Sequence, residues 1–253
     1  MSMRIAFLAS EAPEAQAALQ DLVERHGQRA PEQADVIVAL GGDGFMLHTL
    51  RDTVDLNVPV YGMNRGTIGF LMNEYQEDGL IDRLIAAEEE VINPLSMQAM
   101  DRHGALHEAQ AINEVSLLRA GPQAARLKIS VDGRQRLSEL VCDGALICTP
   151  AGSTAYNYSA HGPILPIGAD LLALTAVAPF RPRRWRGALL PSAATVRFDA
   201  LEADKRPVIA SADSIAIEDI AWVEVGIERS VRHKILFDPG HGLEERLISE
   251  QFN

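Results

Sequence analysis

The chain has 253 residues, of which 47% are hydrophobic and 23% charged, a composition typical of a globular protein and a length that suits one large domain or two modest ones. Its 35 acidic residues outnumber its 23 basic residues, and the net charge of −12 argues against a general nucleic-acid binder, which must neutralise phosphates. No apolar run approaches the roughly 18 residues of a membrane-spanning helix, and the apolar part of the opening MSMRIAFLAS is too short for a signal peptide, so we expect a cytoplasmic protein without nucleic-acid or membrane partners.

The first part of the chain alternates between strand-like and helix-like segments. Apolar runs predict strands at residues 4–9, 35–40 and 58–63, and apolar residues at helical spacing predict helices at 14–25 and 78–89. The inward face of the second helix is expected to comprise Leu80, Ile81, Leu84 and Ile85. Such alternation predicts a parallel sheet covered by helices. It ends at Asn93-Pro94, because a residue before proline is disfavoured in the α region.

From residue 95 onward the pattern changes to successive strands. They are predicted at residues 95–101, 111–118, 127–131, 134–140, 145–148, 195–198, 208–211, 221–227 and 234–237. Asp132-Gly133 between two of them predicts a type I′ hairpin turn, in which both central residues have positive φ. The tail, 242–251, is predicted to be a helix that packs on the first domain. We therefore expect an α/β domain with a parallel sheet (1–93, with 239–253 packing on it) and a mostly β, sandwich-like domain (94–238).

The two cysteines, Cys142 and Cys148, are predicted to be free. They are six positions apart in what looks like extended chain, which separates them by about 20 Å, too far for a disulfide. Free thiols suit a reducing compartment, and we interpret both residues as small buried apolar groups.

The sequence Gly41-Gly42-Asp43-Gly44 follows a predicted buried strand and opens a predicted helix, the position at which parallel α/β sheets bind ligands. Three glycines let the backbone approach a phosphate and adopt positive φ, and the helix start offers free N–H groups to the anion. No lysine follows a glycine in this chain, which excludes a P-loop. Asp43 would repel phosphate unless it works with a metal or accepts a proton from the attacking hydroxyl, and both roles suit phosphoryl transfer. The structural alternative is that Asp43 caps the helix.

Two further segments carry polar groups suited to a nucleotide. In the first, Asn113-Glu114 places an amide beside a carboxylate within an apolar strand, which suits an adenine edge and a ribose diol; the alternative is a polar strand end. In the second, from Asp143 to Ser159, a strand leads into a Gly-Ser-Thr turn and then a helix. That segment offers hydroxyls, aromatic faces and small residues that leave room for a heterocycle. The alternative is a helix capped by Ser153 with tyrosines in the core.

In this order, Gly41-Gly42-Asp43-Gly44, Asn113-Glu114, Asp143-Gly144 and the run TPAGSTAY from Thr149 resemble the motif series of the NAD kinases. Diacylglycerol kinases, sphingosine kinases and phosphofructokinases look similar at the first motif, whereas the last is highly specific. The resemblance implies an enzyme that moves the γ-phosphate of ATP onto the 2′-hydroxyl of the adenosine ribose of NAD. It further implies Mg²⁺ held mainly through the ATP phosphates and not by a protein metal site, and a homodimer or homotetramer.

The resemblance also implies roles for individual residues. Asp43 would be the general base, with Gly41, Gly42 and Gly44 at the ATP phosphates. Asn113 and Glu114 would hold the adenosine end, and Asp143 the far ribose or the nicotinamide amide. The remaining positions expected to contact NAD are Gly44, Phe70, Ala151, Thr154, Ala155, Tyr156, Asn157, Tyr158, Ser159, Ala178 and Asp213. Core packing accounts equally well for Phe70.

Some positions depart from the family pattern. Phe45 stands where many relatives have threonine, and Val141 where many have a basic residue. His48 follows Gly44 by one helical turn and is expected either to face the phosphates or to be a surface histidine. Three interpretations of the basic stretch 180–186 remain: it contacts ATP phosphates, it is a solvated loop, or it contacts a second subunit.

Two rival functions remain at this level. A lipid kinase would share the glycine motif, but its membrane-borne substrate favours a basic or apolar surface, which disagrees with the acidic composition. A sensor that binds NAD or NADP without turnover would gain little from the Asp43 carboxylate beside phosphates.

Overall fold

The computed structural model describes the backbone of residues 3–65 and 69–251. The strands are β1 (Ile5–Ala9), β2 (Val36–Gly41), β3 (Val60–Asn64), β4 (Glu88–Ile92), β5 (Leu95–Asp101), β6 (Leu106–Ala111), β7 (Glu114–Arg119), β8 (Ala125–Val131), β9 (Arg134–Cys142), β10 (Gly144–Cys148), β11 (Leu171–Val177), β12 (Gly187–Pro191), β13 (Val196–Ala200), β14 (Val208–Ala212), β15 (Ile215–Ile217), β16 (Ile220–Ile227) and β17 (His233–Phe237). The helices are α1 (Pro13–His26), α2 (Asp43–Asp52), α3 (Leu80–Ala86), α4 (Tyr156–Ser159) and α5 (Leu243–Gln251), with single 3-10 turns at Pro31–Gln33, Val54–Leu56 and Ala151–Thr154.

The chain divides into two compact units. One contains the residues up to Ile92 and from Val231 onward, and the other is Asn93–Ser230. None of the helices that the structure describes has the length and apolar character needed to span a lipid bilayer.

The first unit is built on a five-stranded sheet in the order β1-β2-β3-β17-β4. The first four strands are mutually parallel and β4 is antiparallel to β17, so the parallel α/β sheet predicted from the sequence is confirmed. Every residue of β2 is buried, as expected for a central parallel strand. Because the parallel strands β2 and β3 end at the same sheet edge, Gly41 lies opposite Asn64, and the glycine turn opens from that edge.

The helix predicted at 78–89 is confirmed over Leu80–Ala86 but wrong at its C-terminal end and in the expected burial of Ile85. Helix α3 ends at Ala86, the side chain of Ile85 is 68% exposed, and residues 88–92 form strand β4. Strand β4 pairs with β17 from Glu88 opposite Phe237 to Ile92 opposite His233, and this ladder satisfies backbone groups that a helix would otherwise use. The strand expected at 234–237 in the β-rich half therefore belongs to the first sheet.

The second unit is a sandwich of two six-stranded sheets, ordered β12-β11-β10-β7-β14-β15 and β6-β5-β16-β13-β8-β9. All strand pairs in both sheets are antiparallel. Side chains from both sheets share one buried cluster, for example Leu117 and Ile147 from the first and Met97, Phe198 and Val223 from the second. The mostly β, sandwich-like architecture is thereby confirmed.

Three other local expectations agree with the structure, two in this unit and one in the first. Asp132 and Gly133 have φ of 51° and 71°, as the predicted hairpin turn requires. Cys142 and Cys148 are free and buried, and burial raises the pKa of each thiol to about 12. The helical tail predicted at 242–251 is α5, which belongs to the first unit.

Candidate active site

The glycine turn at the end of β2 leads directly into α2. Gly42 is the N-cap in extended backbone, with φ −120° and ψ −175°, and Asp43 is the first helical residue. None of Gly41, Gly42 and Gly44 has positive φ, so the expectation of positive φ at this turn is wrong. What the glycines supply is space: a Cβ added at Gly42 or Gly44 would meet nothing within 4 Å, whereas one at Gly41 would lie 2.9 Å from Phe45 Cβ.

The carboxylate of Asp43 is bound by a neighbouring loop and does not cap α2. The N–H groups of Phe70 and Leu71 donate to Oδ2 and Oδ1 over 2.6 Å and 2.9 Å. The loop approaches so closely that a Cβ on Gly69 would lie 2.1 Å from Asp43 Oδ1, so any larger residue there would displace the Asp43 carboxylate. Each carboxylate oxygen accepts one N–H and keeps a lone pair for another partner, and the two amides fix the carboxylate plane.

Two other residues singled out in the first unit have local partners. His48 is on the surface of α2, 60% exposed, with Nδ1 2.8 Å from Asp52 Oδ2 one turn along the helix. Phe70 is partly buried, and its backbone, not its ring, makes the contact with Asp43.

In the second unit, Asn113 and Glu114 are positioned by Asp213. The Asp213 carboxylate accepts hydrogen bonds from the N–H groups of Ile112, Asn113 and Glu114 over 2.7 Å, 3.1 Å and 3.2 Å. Asp213 is itself in the left-handed region, at φ 47°, and its N–H donates to Glu114 O. These bonds take the amides of 112 and 113 out of the ladder, so β7 begins at Glu114 and not at residue 111 as predicted.

Glu114 is the most strongly perturbed carboxyl of this unit. Burial, reinforced by the charge of Asp213, raises its pKa to about 7, although the Tyr156 backbone N–H partly opposes the shift. Its Oε2 atom is buried without a protein hydrogen-bond partner. A carboxyl in this state exchanges a proton near neutral pH and can either donate or accept a hydrogen bond.

Replacing Glu114 by Gln is expected to remove a pH dependence of stability. Because the folded pKa of about 7 lies above the ordinary 4.5, the folded state keeps a proton that the unfolded chain releases, and the free energy of unfolding falls as pH rises between these values. The free energy of unfolding is measured by urea titration at pH 5 and pH 8. Relative to the parent chain, that of E114Q should be higher at pH 8 than at pH 5 by on the order of 1–3 kcal/mol. Parallel pH curves for the two proteins would contradict the raised pKa.

The segment after β10 packs closely against the backbone of Ile112 and Asn113. The Thr149 hydroxyl donates to Ile112 O over 2.7 Å and accepts the Gly152 N–H over 3.1 Å. A Cβ on Gly152 would lie 2.2 Å from Asn113 O, so this glycine is required by the close approach of two chain segments.

Asn157 and Ser153 are interior residues of this segment. The Asn157 amide donates to the carbonyls of Ser153 and Pro163 and accepts the Thr175 hydroxyl, and Ser153 Oγ accepts the Leu165 N–H. With its side chain at 0% exposure and its amide engaged on both sides, Asn157 supports the segment from inside. Ala151 is likewise buried. The positions of the segment that reach the surface are Thr154, Ala155, Tyr156, Tyr158 and Ser159.

Asp143 and Ala178 lie near each other in the second unit. The Asp143 N–H donates to Val177 O over 3.0 Å, and Ala178 follows with φ 46° and an exposed side chain. The Asp143 carboxylate is paired with Arg119, Nε to Oδ1 at 2.6 Å, a partner that the sequence pattern did not indicate.

The basic stretch 180–186 follows Ala178 and is largely at the surface. Arg181, Arg183, Arg184 and Arg186 are exposed, while Trp185 packs against the sandwich core. Its first residues are hydrogen-bonded to β9, because Phe180 N–H donates to Val141 O and Val141 N–H donates to Arg181 O.

Among the residues that the structure describes, no group of three or more His, Cys, Asp or Glu side chains is arranged to hold a metal ion.

Comparison with known proteins identifies two family domains in the chain. Residues 3–88 match the ATP-NAD kinase N-terminal domain and residues 112–237 match the ATP-NAD kinase C-terminal domain. The chain is 69% identical over 249 residues to an NAD kinase of Cereibacter sphaeroides, covering 98% of each chain. It is 58% identical over 250 residues to the NAD kinase of Caulobacter vibrioides, covering 99% of this chain and 96% of the other.

Two solved structures have the same fold at low sequence identity. Yeast NADH kinase complexed with NADH superimposes with a TM-score of 0.83 at 21% identity, covering 99% of this chain and 87% of that one. An NAD kinase from Archaeoglobus fulgidus in complex with ATP gives 0.78 at 22% identity, with 98% of each chain covered.

Proposed function

The chain belongs to the NAD kinase family, and we propose that it transfers the γ-phosphate of ATP to the 2′-hydroxyl of the adenosine ribose of NAD with Asp43 as the general base. The observation that supports this role is the environment of the carboxylate. Asp43 stands at an open glycine turn, is not used as a helix cap, and is oriented by two loop amides. A fixed carboxylate with a free lone pair suits the removal of a proton from a positioned hydroxyl.

In the proposed reaction the 2′-oxygen attacks the γ-phosphorus, the bond from phosphorus to the β,γ-bridging oxygen breaks, and ADP leaves. The hydroxyl proton passes to Asp43. The phosphates lie at Gly41, Gly42 and Gly44, where the start of α2 offers N–H groups and a positive dipole end. Most of the catalysis asked of the protein is therefore alignment and charge stabilisation.

Mg²⁺ fits this arrangement as a companion of ATP. The ion would be held mainly through the substrate phosphates, and the described residues contain no cluster of three or more His, Cys, Asp or Glu side chains that would hold it instead. When bound, it neutralises negative charge on the phosphates.

The proposed NAD site uses the second unit. Asn113 and Glu114 take the adenosine end, Thr154, Ala155, Tyr156, Tyr158 and Ser159 form the accessible wall, and Asp143 with Ala178 takes the nicotinamide end. Asp213, Ala151 and Asn157 support this wall through the internal contacts described above. The two free cysteines suit the expected cytoplasmic location, where thiols stay reduced.

The enzyme is expected to be a homodimer or homotetramer. Sedimentation equilibrium at assay concentrations should then give a mass two or four times that of the 27.5 kDa chain, with the free monomer as the contradicting result.

The test of the proposed function is a coupled assay. Purified protein is incubated with ATP, Mg²⁺ and NAD, and NADP is scored with a dehydrogenase specific for it. Diacylglycerol replaces NAD in a parallel reaction. NADP formation that requires ATP supports the proposal. Transfer only to the lipid would indicate a lipid kinase, and tight NAD binding by folded protein without NADP would indicate a sensor; either result overturns it.

A further inference from the structure

Arg246 of helix α5 binds the loop that holds Asp43. Its Nη1 donates to Met72 O over 2.6 Å and lies 3.3 Å and 3.4 Å from the carbonyl oxygens of Gly69 and Phe70. Its Nε donates to His241 O over 2.7 Å. One guanidinium thus gathers several carbonyls of a single short loop, an arrangement that its planar fork of donors favours.

The loop is held from both sides by opposite charges. Phe70 shows this most directly, because its N–H donates to Asp43 Oδ2 and its carbonyl faces Arg246 Nη1. The loop backbone groups present oxygen to the cation and N–H to the anion, so both ends of the peptide dipoles are satisfied by charge-assisted contacts. The charges of Asp43 and Arg246 also attract each other directly.

Arg246 is itself firmly placed. Leu243 and Leu247 are 0% and 2% exposed and anchor α5, and the guanidinium lies 5.1 Å from the Phe237 ring centroid. Burial lowers the pKa of Arg246, but the charges of Asp43, Asp238 and Glu90 oppose that shift, and an arginine stays protonated near neutral pH. The cation is therefore a permanent part of this region.

We propose that Arg246 is a positioning residue for phosphoryl transfer: through the carbonyls of loop 69–72 it fixes the Phe70 and Leu71 amides that orient the Asp43 carboxylate. The inference rests on the proposed role of Asp43 as the base. It assigns a function in the reaction to the C-terminal helix, far along the chain from the glycine turn.

The first test is Arg246→Met, which keeps an unbranched apolar stem but removes the guanidinium. Without the cation the loop relaxes and the carboxylate loses its orientation, so kcat should fall about 10- to 100-fold, the range for misplacement of a reacting group by roughly an ångström. KM for NAD should change less than threefold, because most of the proposed NAD contacts are in the other unit. Arg246→Lys, which keeps the charge but not the fork, should recover part of the loss.

Arg83→Met is the matched control. Arg83 is also a partly buried arginine of the first unit and binds the carbonyls of Glu74 and Gln76, but its carboxylate partner is Asp238. Arg83→Met should lower the melting temperature about as much as Arg246→Met and leave kcat near that of the parent chain. If Arg246→Met does not fold, Arg246→Lys and Arg246→Gln are measured against the same control.

Two readouts separate positioning from general destabilisation. Amide exchange of Phe70 and Leu71, followed by NMR, should accelerate in Arg246→Met but not in Arg83→Met. In an Asp43→Asn background, adding Arg246→Met should cost little further kcat, because residues that act as a unit are not additive.

Normal kcat and unchanged exchange in Arg246→Met, with Asp43→Asn inactive, would overturn this inference alone. An Asp43→Asn variant that keeps full turnover would overturn the proposed base and the catalytic part of the inference together. Full additivity of the two substitutions would show that Arg246 does not act through Asp43.

Discussion

Asp43→Asn is expected to lower kcat by roughly 10²–10⁴-fold, the range for removal of a general acid–base group. The amide has the size and shape of the carboxylate but cannot accept the 2′-hydroxyl proton. One of the two loop amides that now donate to the carboxylate would face an NH₂ group, so a loss of about 1 kcal/mol in stability is also expected. NAD binding should persist, because Asn113, Glu114 and the other proposed contacts with NAD are unchanged.

The measurement is initial-rate NADP formation together with NAD binding by calorimetry and a thermal melt. Asp55→Asn, an exposed carboxylate in the short 3-10 turn after α2, makes the same chemical change outside the site and should keep parental turnover. Turnover of Asp43→Asn within a few-fold of the Asp55→Asn variant would eliminate Asp43 as the base.

The architecture was predictable from the sequence where hydrophobic patterns are strong. The fully buried β2 and the helical spacing of α1 fixed the parallel sheet, and the glycine turn after β2 located one candidate site at its carboxyl edge. Five strands were not predicted: β4, β6, β12 and β15 are edge strands, whereas β11 is an apolar strand inside its sheet that the pattern analysis missed. An edge strand tolerates polar, glycine and proline residues because one side makes no ladder, so its sequence carries a weak strand signal.

Contacts between distant parts of the chain could not be predicted in this way. The tail helix was expected, but nothing in its pattern indicated that Arg246 would bind carbonyls of residues 69, 70 and 72. Asp213 was expected to contact NAD, but nothing in the pattern indicated that its carboxylate would bind three backbone amides about one hundred positions earlier. In both cases the partner is backbone, which has no residue signature, and a motif therefore identifies a site more readily than the groups that support it.

Replacing Gly152 by alanine is the other substitution expected to have a large effect, because there is no space for a Cβ at this position. In Gly152→Ala the new Cβ would lie 2.2 Å from Asn113 O and 2.5 Å from Asn113 C and Cα. These are backbone atoms that cannot move aside as a side-chain tip can, so the segment after β10 and the start of β7 must separate. Overpacking of this kind costs about 1–3 kcal/mol of stability.

Separation of the segment after β10 from the start of β7 would disturb the proposed adenosine site. Asn113 and Glu114 would move relative to Tyr156, whose backbone N–H lies close enough to the Glu114 carboxyl to influence its pKa, and these residues are proposed faces of the adenosine site. We expect KM for NAD to rise at least about tenfold, since small displacements of positioned groups are costly, while KM for ATP, proposed to bind at the glycine turn of the other unit, changes little. Gly168→Ala is the control, because a Cβ there meets nothing within 4 Å and should leave both constants and the melting temperature near parental values. Equal KM values for NAD in the two alanine variants would show that the approach of Gly152 to Asn113 does not shape the dinucleotide site.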